Sequence, residues 1–248
     1  MNILFYILAL GFFASPQVEA AQCAVNQYWV KPHYRRAYVR SDGKHFAATN
    51  VKGYCKERSV IYDSWSGRFK SQMPTDWPHT KESFKDWKID EKERVLEILE
   101  KAPEELLSKN IIGIYRADKS RQEPNPATSA DGVVVIYDSA FKKPYDLQRV
   151  LYHELAHQMY IDLSDKDAED YRWSTSWWPV RDRKNTYVSR SDGYVQDDGR
   201  DSPEEDYANN IEFYLVEPET LKKVTPNAYN WIKRRFGDKF KIRNGGKK

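Results

Sequence analysis

Three residues in the stretch 150-VLYHELAHQMYIDL-163 are spaced for metal chemistry: His153, Glu154 and His157, in the order H-E-x-x-H. The apolar residues around them read as a helix. On a helix each residue turns about 100° and rises about 1.5 Å, so the two histidines lie about 40° apart around the axis and about 6 Å apart along it. Both imidazoles can then meet one ion at a zinc–nitrogen distance of about 2.0–2.1 Å. Glu154 points to the neighbouring edge of the same face, where it can reach a water at the ion without binding the ion itself. The alternative is a pair of histidines satisfied beside the core.

A catalytic zinc site needs a third protein ligand. The extension H-E-x-x-H-x-x-G-x-x-H fails, because Tyr160 and Leu163 occupy its glycine and last histidine positions, and no histidine follows His157. A carboxylate is therefore expected. The best source is 202-SPEEDYANNIEFYL-215. As a helix it places Glu205, Asn209 and Glu212 on one face, and Tyr207, Ile211, Tyr214 and Leu215 on another that packs inward. Ser202 and Glu205 also make a capping box. Glu205 is thus ligand or cap, with Glu204 and Asp206 as spare ligands.

His153-Glu154-Leu155-Ala156-His157 followed by Ser202-Pro203-Glu204-Glu205-Asp206-Tyr207-Ala208 resembles the gluzincin metallopeptidases. Within them it is most similar to the group containing the catalytic domain of anthrax lethal factor and related secreted bacterial peptidases. The resemblance spans about residues 84–236. It implies one zinc per chain bound by His153, His157 and Glu205, with Glu154 as general base. Two positions depart from the family pattern. Asn209 stands where an acidic residue often orients a ligand histidine; its amide oxygen is a weaker acceptor for the imidazole N–H. Asp198 stands where the lethal-factor pattern has a tyrosine near the developing oxyanion. An ionised aspartate donates no hydrogen bond, which leaves Tyr194 or Tyr187 to supply the donor.

The elements that must position these groups are legible in outline. Residues 90–102 carry Val95, Leu96, Ile98 and Leu99 at helical spacing, and Pro103 ends the run. Residues 111–117 and 132–138 read as strands, with a polar loop over 118–131 between them. A helix runs from Pro144 and Asp146 through the motif to about Leu163, another from Ser202 to about Val216, and a last one over about 227–236. The order predicts an α+β fold with a small sheet packed on the motif helix, and the resemblance implies that this is a zincin-like metallopeptidase domain. The strand at 132–138 is the expected edge where an extended peptide adds. Residues 171–180, with Trp173, Trp177 and Trp178, are expected to be irregular and to close a core rather than wall a cleft.

The chain divides into a signal peptide over 1–21, a β-hairpin-rich segment and linker over 22–80, the catalytic domain over 81–238 and a basic tail over 239–248. Residues 3–14 are an apolar run shorter than the roughly 20 residues of a membrane span, and small residues follow at a cleavage site near Ala20 or Ala21. Export to the periplasm or medium of a bacterium is expected, with no stable membrane insertion after cleavage. Cys23 and Cys55 are the only cysteines, and an oxidising compartment favours joining them, worth about 3–4 kcal/mol. The balance of 40 basic against 37 acidic residues, net +3, is too even for a nucleic-acid protein. His33, His45 and His79 read as turn or surface residues.

The expected partner is a protein or peptide substrate. The function implied is a secreted zinc endopeptidase using a zinc-activated water and Glu154. The competing expectation is a zincin-fold binding protein of the envelope with little or no catalysis; Asn209 and Asp198 favour it, and the intact Glu154 opposes it. A third expectation gives residues 22–80 a targeting role, or an inhibitory one over the cleft.

Overall fold

The computed structural model describes residue 23 and residues 27–243, apart from 41–42, 58–59, 76, 80, 122–123 and 190–192. The expected signal peptide and residues 244–248 of the basic tail lie outside the described residues. Short strands dominate the first part: β1 (Gln27–Val30), β2 (His33–Arg35), β3 (Tyr38–Val39), β4 (His45–Phe46), β5 (Thr49–Val51) and β6 (Tyr54–Glu57). They pair antiparallel as β1 with β6, β2 with β5 and β3 with β4. Cys23 and Cys55 form a disulfide. Helix α1 (Val60–Trp65) and strand β7 (Phe69–Lys70) follow.

Helix α2 (Ile89–Lys101) buries Val95, Leu96 and Leu99, the residues whose spacing predicts it. Strands β8 (Gly113–Arg116), β9 (Ala127–Ala130) and β10 (Val133–Ile136) join β7 in a four-stranded sheet of order β7-β8-β10-β9. Strand β10 runs parallel to β8 and antiparallel to β9. All of β10 is buried, because the sheet is covered on both faces. Ile114, Val134 and Ile136 meet the helices, while Val133, Val135 and Tyr115 meet Trp77 and Phe84.

This order corrects two expectations. The strand at 132–138 is interior, so it offers no edge; the edges are β7 and β9, and β9 comes from within the stretch read as loop. Gly132, at φ 71°, makes the turn between β9 and β10.

The motif helix α3 (Leu147–Ile161) starts at Asp146, whose carboxylate accepts the N–H of Gln148 at 2.8 Å. Its apolar residues Leu147, Val150, Leu151, Leu155, Ala156 and Met159 are buried in the main core. Next come α4 (Asp165–Ser174) and the hairpin of β11 (Trp177–Pro179) and β12 (Tyr187–Ser189), so the expected irregular stretch is mostly ordered as helix and strand. The tryptophans divide: Trp177 is buried, whereas Trp173 is exposed and meets Trp178 edge to face. Helices α5 (Pro203–Val216), α6 (Pro218–Val224) and α7 (Pro226–Phe236) complete the chain. No helix among the described residues is long and apolar enough to cross a membrane.

The N-terminal strands dock on α2. Arg36 donates to the buried Glu91 at 2.7 Å, and Glu93 takes Tyr54 at 3.2 Å and faces His33 at 3.4 Å. Glu91 in turn receives Arg116 from β8. Strands β1–β6 thus pack on α2, while Trp65, Phe69 and β7 of the same segment belong to the main core and sheet, and none of the segment's described residues lines the cleft described next.

Candidate metal centre

Helices α3 and α5 lie side by side, and the facing side chains meet at one point. His153 Nε2 and His157 Nε2 are 3.1 Å apart. Glu205 Oε2 is 3.4 Å from each. Two ligands held about 2.0–2.1 Å from one tetrahedral ion lie about 3.3 Å apart. The triangle therefore has the size that such an ion requires. Among the described residues this is the one His/Cys/Asp/Glu group whose ligand atoms converge closely enough to hold a metal.

The outer ring nitrogens face carboxylates. His157 Nδ1 is 3.2 Å from Glu204 Oε1, and His153 Nδ1 is 3.8 Å from Glu212 Oε2. With a proton on each Nδ1, both Nε2 lone pairs point to the common centre. The donor set, two imidazole nitrogens and a carboxylate oxygen, is chemically suited to zinc.

Glu205 shows why cap and ligand need not compete. Its backbone N–H donates to Ser202 Oγ at 3.1 Å, which caps α5, while its side chain is directed to the histidines. Burial pushes its carboxyl up, but hydrogen bonds from His153 and His157 overcome this and hold it well below the usual range. Burial alone would lower His157, yet Glu204 and Glu205 push it up to about 10. Glu154 is buried, and that burial, with the charge of Glu205, raises its carboxyl against the opposing pull of both histidines.

The site opens into a cleft of about 1030 Å³. One wall is β9, through Ala127, Thr128 and Ser129, and the opposite wall comes from α5 and the turn before it. Ser129 Oγ donates to the carbonyl of Glu154 at 3.2 Å, which ties the edge strand to the motif helix.

Other expected residues are placed differently. Asn209 does not reach a histidine: its Nδ2 donates to Asp198 at 2.7 Å, and its Oδ1 is buried without a partner among the described residues. Asp206 is turned away from the metal centre into the core, where it accepts from Tyr171, Trp177 and Asn210. Burial pushes its carboxyl up to about 6 against those three donors. Glu204 faces the outer nitrogen of His157 rather than the centre. Tyr194 is held against Trp177 and Arg200, and Tyr187 lies under the Arg172 guanidinium. Neither tyrosine lines the cleft, so neither is placed as an oxyanion donor.

The tyrosine that does line the cleft is Tyr145, whose hydroxyl donates to the Pro124 carbonyl at 2.6 Å. Arg149 and Gln196 line it as well. Arg149 precedes His153 by one helical turn, a spacing from which its position beside the site follows.

No family model matches the chain, and no curated protein does. Among solved structures, the Pro-Pro endopeptidase PPEP-2 from Paenibacillus alvei is similar with a TM-score of 0.39 and 18% identity, over 61% of this chain and 94% of that chain.

Proposed function

We propose that the chain is a zinc-dependent endopeptidase of the gluzincin type that acts outside the cytoplasm of a bacterium. The observation that carries this reading is the triangle of His153, His157 and Glu205, with its 3.1–3.4 Å sides, beside a buried glutamate in an open cleft. A zinc ion bound there supplies a Lewis acid that polarises a peptide carbonyl and acidifies a water. With the ion held by His153, His157 and Glu205, Glu154 would be the group placed to accept a proton from the attacking water and return it to the departing amine. Its carboxyl is raised by burial, which makes it a stronger base than an exposed glutamate.

The peptide is positioned by β9. This strand pairs with β10 on one side and with no described strand on the other, and its free side faces the cleft. An extended peptide adds there through main-chain hydrogen bonds, with alternate side chains in and out of the cleft. Tyr145, whose hydroxyl donates to the Pro124 carbonyl, is the phenol on the cleft wall that can turn to developing negative charge.

The test is zinc content and casein cleavage by the mature chain, measured together with Glu205→Ala and Glu154→Gln. The expected result is one zinc per wild-type chain, lost in Glu205→Ala. In Glu154→Gln zinc is retained and cleavage falls by at least about 100-fold. A wild-type chain that takes up no zinc would refute the proposal. Zinc without cleavage of any peptide would turn it toward the envelope-binding alternative.

A further inference from the structure

We propose that Glu212, held in place by Arg149, is the residue that positions His153 for metal binding. The inference rests on the metallopeptidase reading and deepens it. In the sequence pattern the corresponding position is Asn209, four residues after Glu205. In the structure Asn209 spends its amide N–H on Asp198, and its Oδ1 accepts no hydrogen bond from either histidine. Glu212 lies seven residues after Glu205, on the same face of α5, and faces the outer nitrogen of His153 at 3.8 Å.

Three observations favour a positioning role over a simple ion pair. First, the two carboxylate oxygens have separate duties. Oε1 accepts Arg149 Nε at 2.5 Å, whereas Oε2 accepts Gln196 Nε2 at 3.2 Å and is the one turned to His153. Second, Glu212 is 3% exposed. A buried carboxylate is a poor way to neutralise an arginine that already has another partner, and Arg149 also bonds Glu217, whose side chain is 43% exposed. Third, Arg149 sits one turn before His153 on α3 and His157 one turn after it: Arg149 bonds the carboxylate that His153 Nδ1 faces, whereas His153 Nε2 faces His157. Arg149 and Gln196 thus fix the orientation of Glu212.

At 3.8 Å the His153–Glu212 contact is electrostatic. A shift of about 0.8 Å makes it a hydrogen bond. Glu212 then holds the proton on Nδ1, locks the ring plane and leaves Nε2 free for the ion. Glu204 does the same for His157 from a more exposed position. Each ligand histidine thereby has its own outer carboxylate, and the asparagine is dispensable for this purpose.

The experiment is zinc affinity by competition with a chromophoric chelator, with the absorption spectrum of the cobalt-substituted protein and the thermal midpoint alongside. Wild type, Glu212→Gln and Glu217→Gln are compared. The expected result is a zinc affinity about 10–100-fold weaker in Glu212→Gln, with an altered cobalt spectrum. Glu217→Gln, which touches Arg149 but no histidine, keeps both at wild-type values. If Glu212→Gln lowers only the thermal midpoint and leaves zinc affinity and cobalt spectrum unchanged, Glu212 is merely the partner of Arg149 and the proposal falls. Should Glu212→Gln fail to fold, Glu212→Asp takes its place; it withdraws the carboxylate by one methylene, and an unweakened zinc affinity there overturns the proposal equally. A wild-type chain that binds no zinc removes the metallopeptidase reading itself, whereas equal binding by wild type and variant removes only the role of Glu212.

Discussion

Gln158 on the motif helix accepts the backbone N–H of Gly132 at 2.8 Å and donates to the Ala130 carbonyl at 2.6 Å. One buried side chain thus holds the turn that joins the edge strand to the sheet, one residue beyond His157. Gln158→Leu keeps the bulk, leaves the Gly132 N–H without its partner and removes one of the partners of the Ala130 carbonyl, which stays paired with Val133 in the ladder. An orphaned group costs about 1–3 kcal/mol. The variant is expected to lose about that much in urea unfolding, while zinc stoichiometry is retained because no ligand is touched. An unchanged urea midpoint would show that water replaces the amide.

The metal-free protein is expected to be most stable in weakly acidic solution. Glu205 is held below its ordinary value of 4.5, so its contribution is present above that pH and is lost as pH falls. His157 is raised from 6.5 to about 10, so its contribution is full below 6.5 and is lost as pH rises toward 10. Together they favour the window between about 4.5 and 6.5. Zinc binding has the opposite slope over neutral pH, because the imidazoles must lose protons to bind. Thermal midpoints measured with and without chelator check this. A metal-free midpoint that keeps rising from pH 6 to 9 would contradict the coupling of His157 to its two glutamates.

What the sequence makes legible is local and periodic. The spacing of His153 and His157 and the cap at Ser202 are readable because helical geometry relates residues three to four positions apart. Strand β9 escapes because Ala127-Thr128-Ser129-Ala130 has little strand character of its own, and it is a strand through pairing with β10. A signal was present: Asp131-Gly132 before an apolar run marks a tight hairpin turn. Whether Asn209 or Glu212 serves His153 was not legible. Both lie on one helical face, and the choice depends on Arg149 and Gln196, which belong to other segments. The division of Trp177 from Trp173 and Trp178 likewise depends on the buried carboxylate of Asp206, which takes the Trp177 N–H.

The cleft is expected to prefer basic peptides. Beyond the site's own glutamates it is lined by Asp146, Asp198 and Asp201. Its one arginine, Arg149, is spent on Glu212 and Glu217. A peptide with lysine or arginine flanking the cleaved bond should therefore show a KM several-fold lower than its glutamate counterpart, about 1 kcal/mol for each partly exposed pair. The advantage should shrink as salt shortens the screening length below about 8 Å. Paired fluorogenic peptides at two salt concentrations measure it. Equal KM values for the two charges would mean that the cleft carboxylates do not face the substrate.

Arg116, 1% exposed, tests whether the N-terminal strands are energetically part of the same structure as the site. Its guanidinium meets Glu91 at 3.1 and 3.2 Å and also bonds Asp138, and Arg36 of the N-terminal segment reaches the same Glu91. Burial raises the Glu91 carboxyl, but Arg116 and Arg36 together bring it below its ordinary value. Removing this carboxylate leaves the buried Arg116 with the half-exposed Asp138 as its remaining carboxylate, so Glu91→Ala should cost about 3 kcal/mol, the low end for a broken buried pair. Arg36→Ala leaves Arg116 and Glu91 paired and removes only a half-exposed donor, so it should cost about 1 kcal/mol or less. Neither residue lines the cleft, so zinc affinity of the folded fraction should match wild type in both. Equal losses from the two variants would place the N-terminal segment inside the cooperative core, because Arg36 would then matter as much as the buried pair it caps. The expected unequal losses make β1–β6 a docked appendage, in contrast to Trp65, Phe69 and β7, which belong to the main core and sheet.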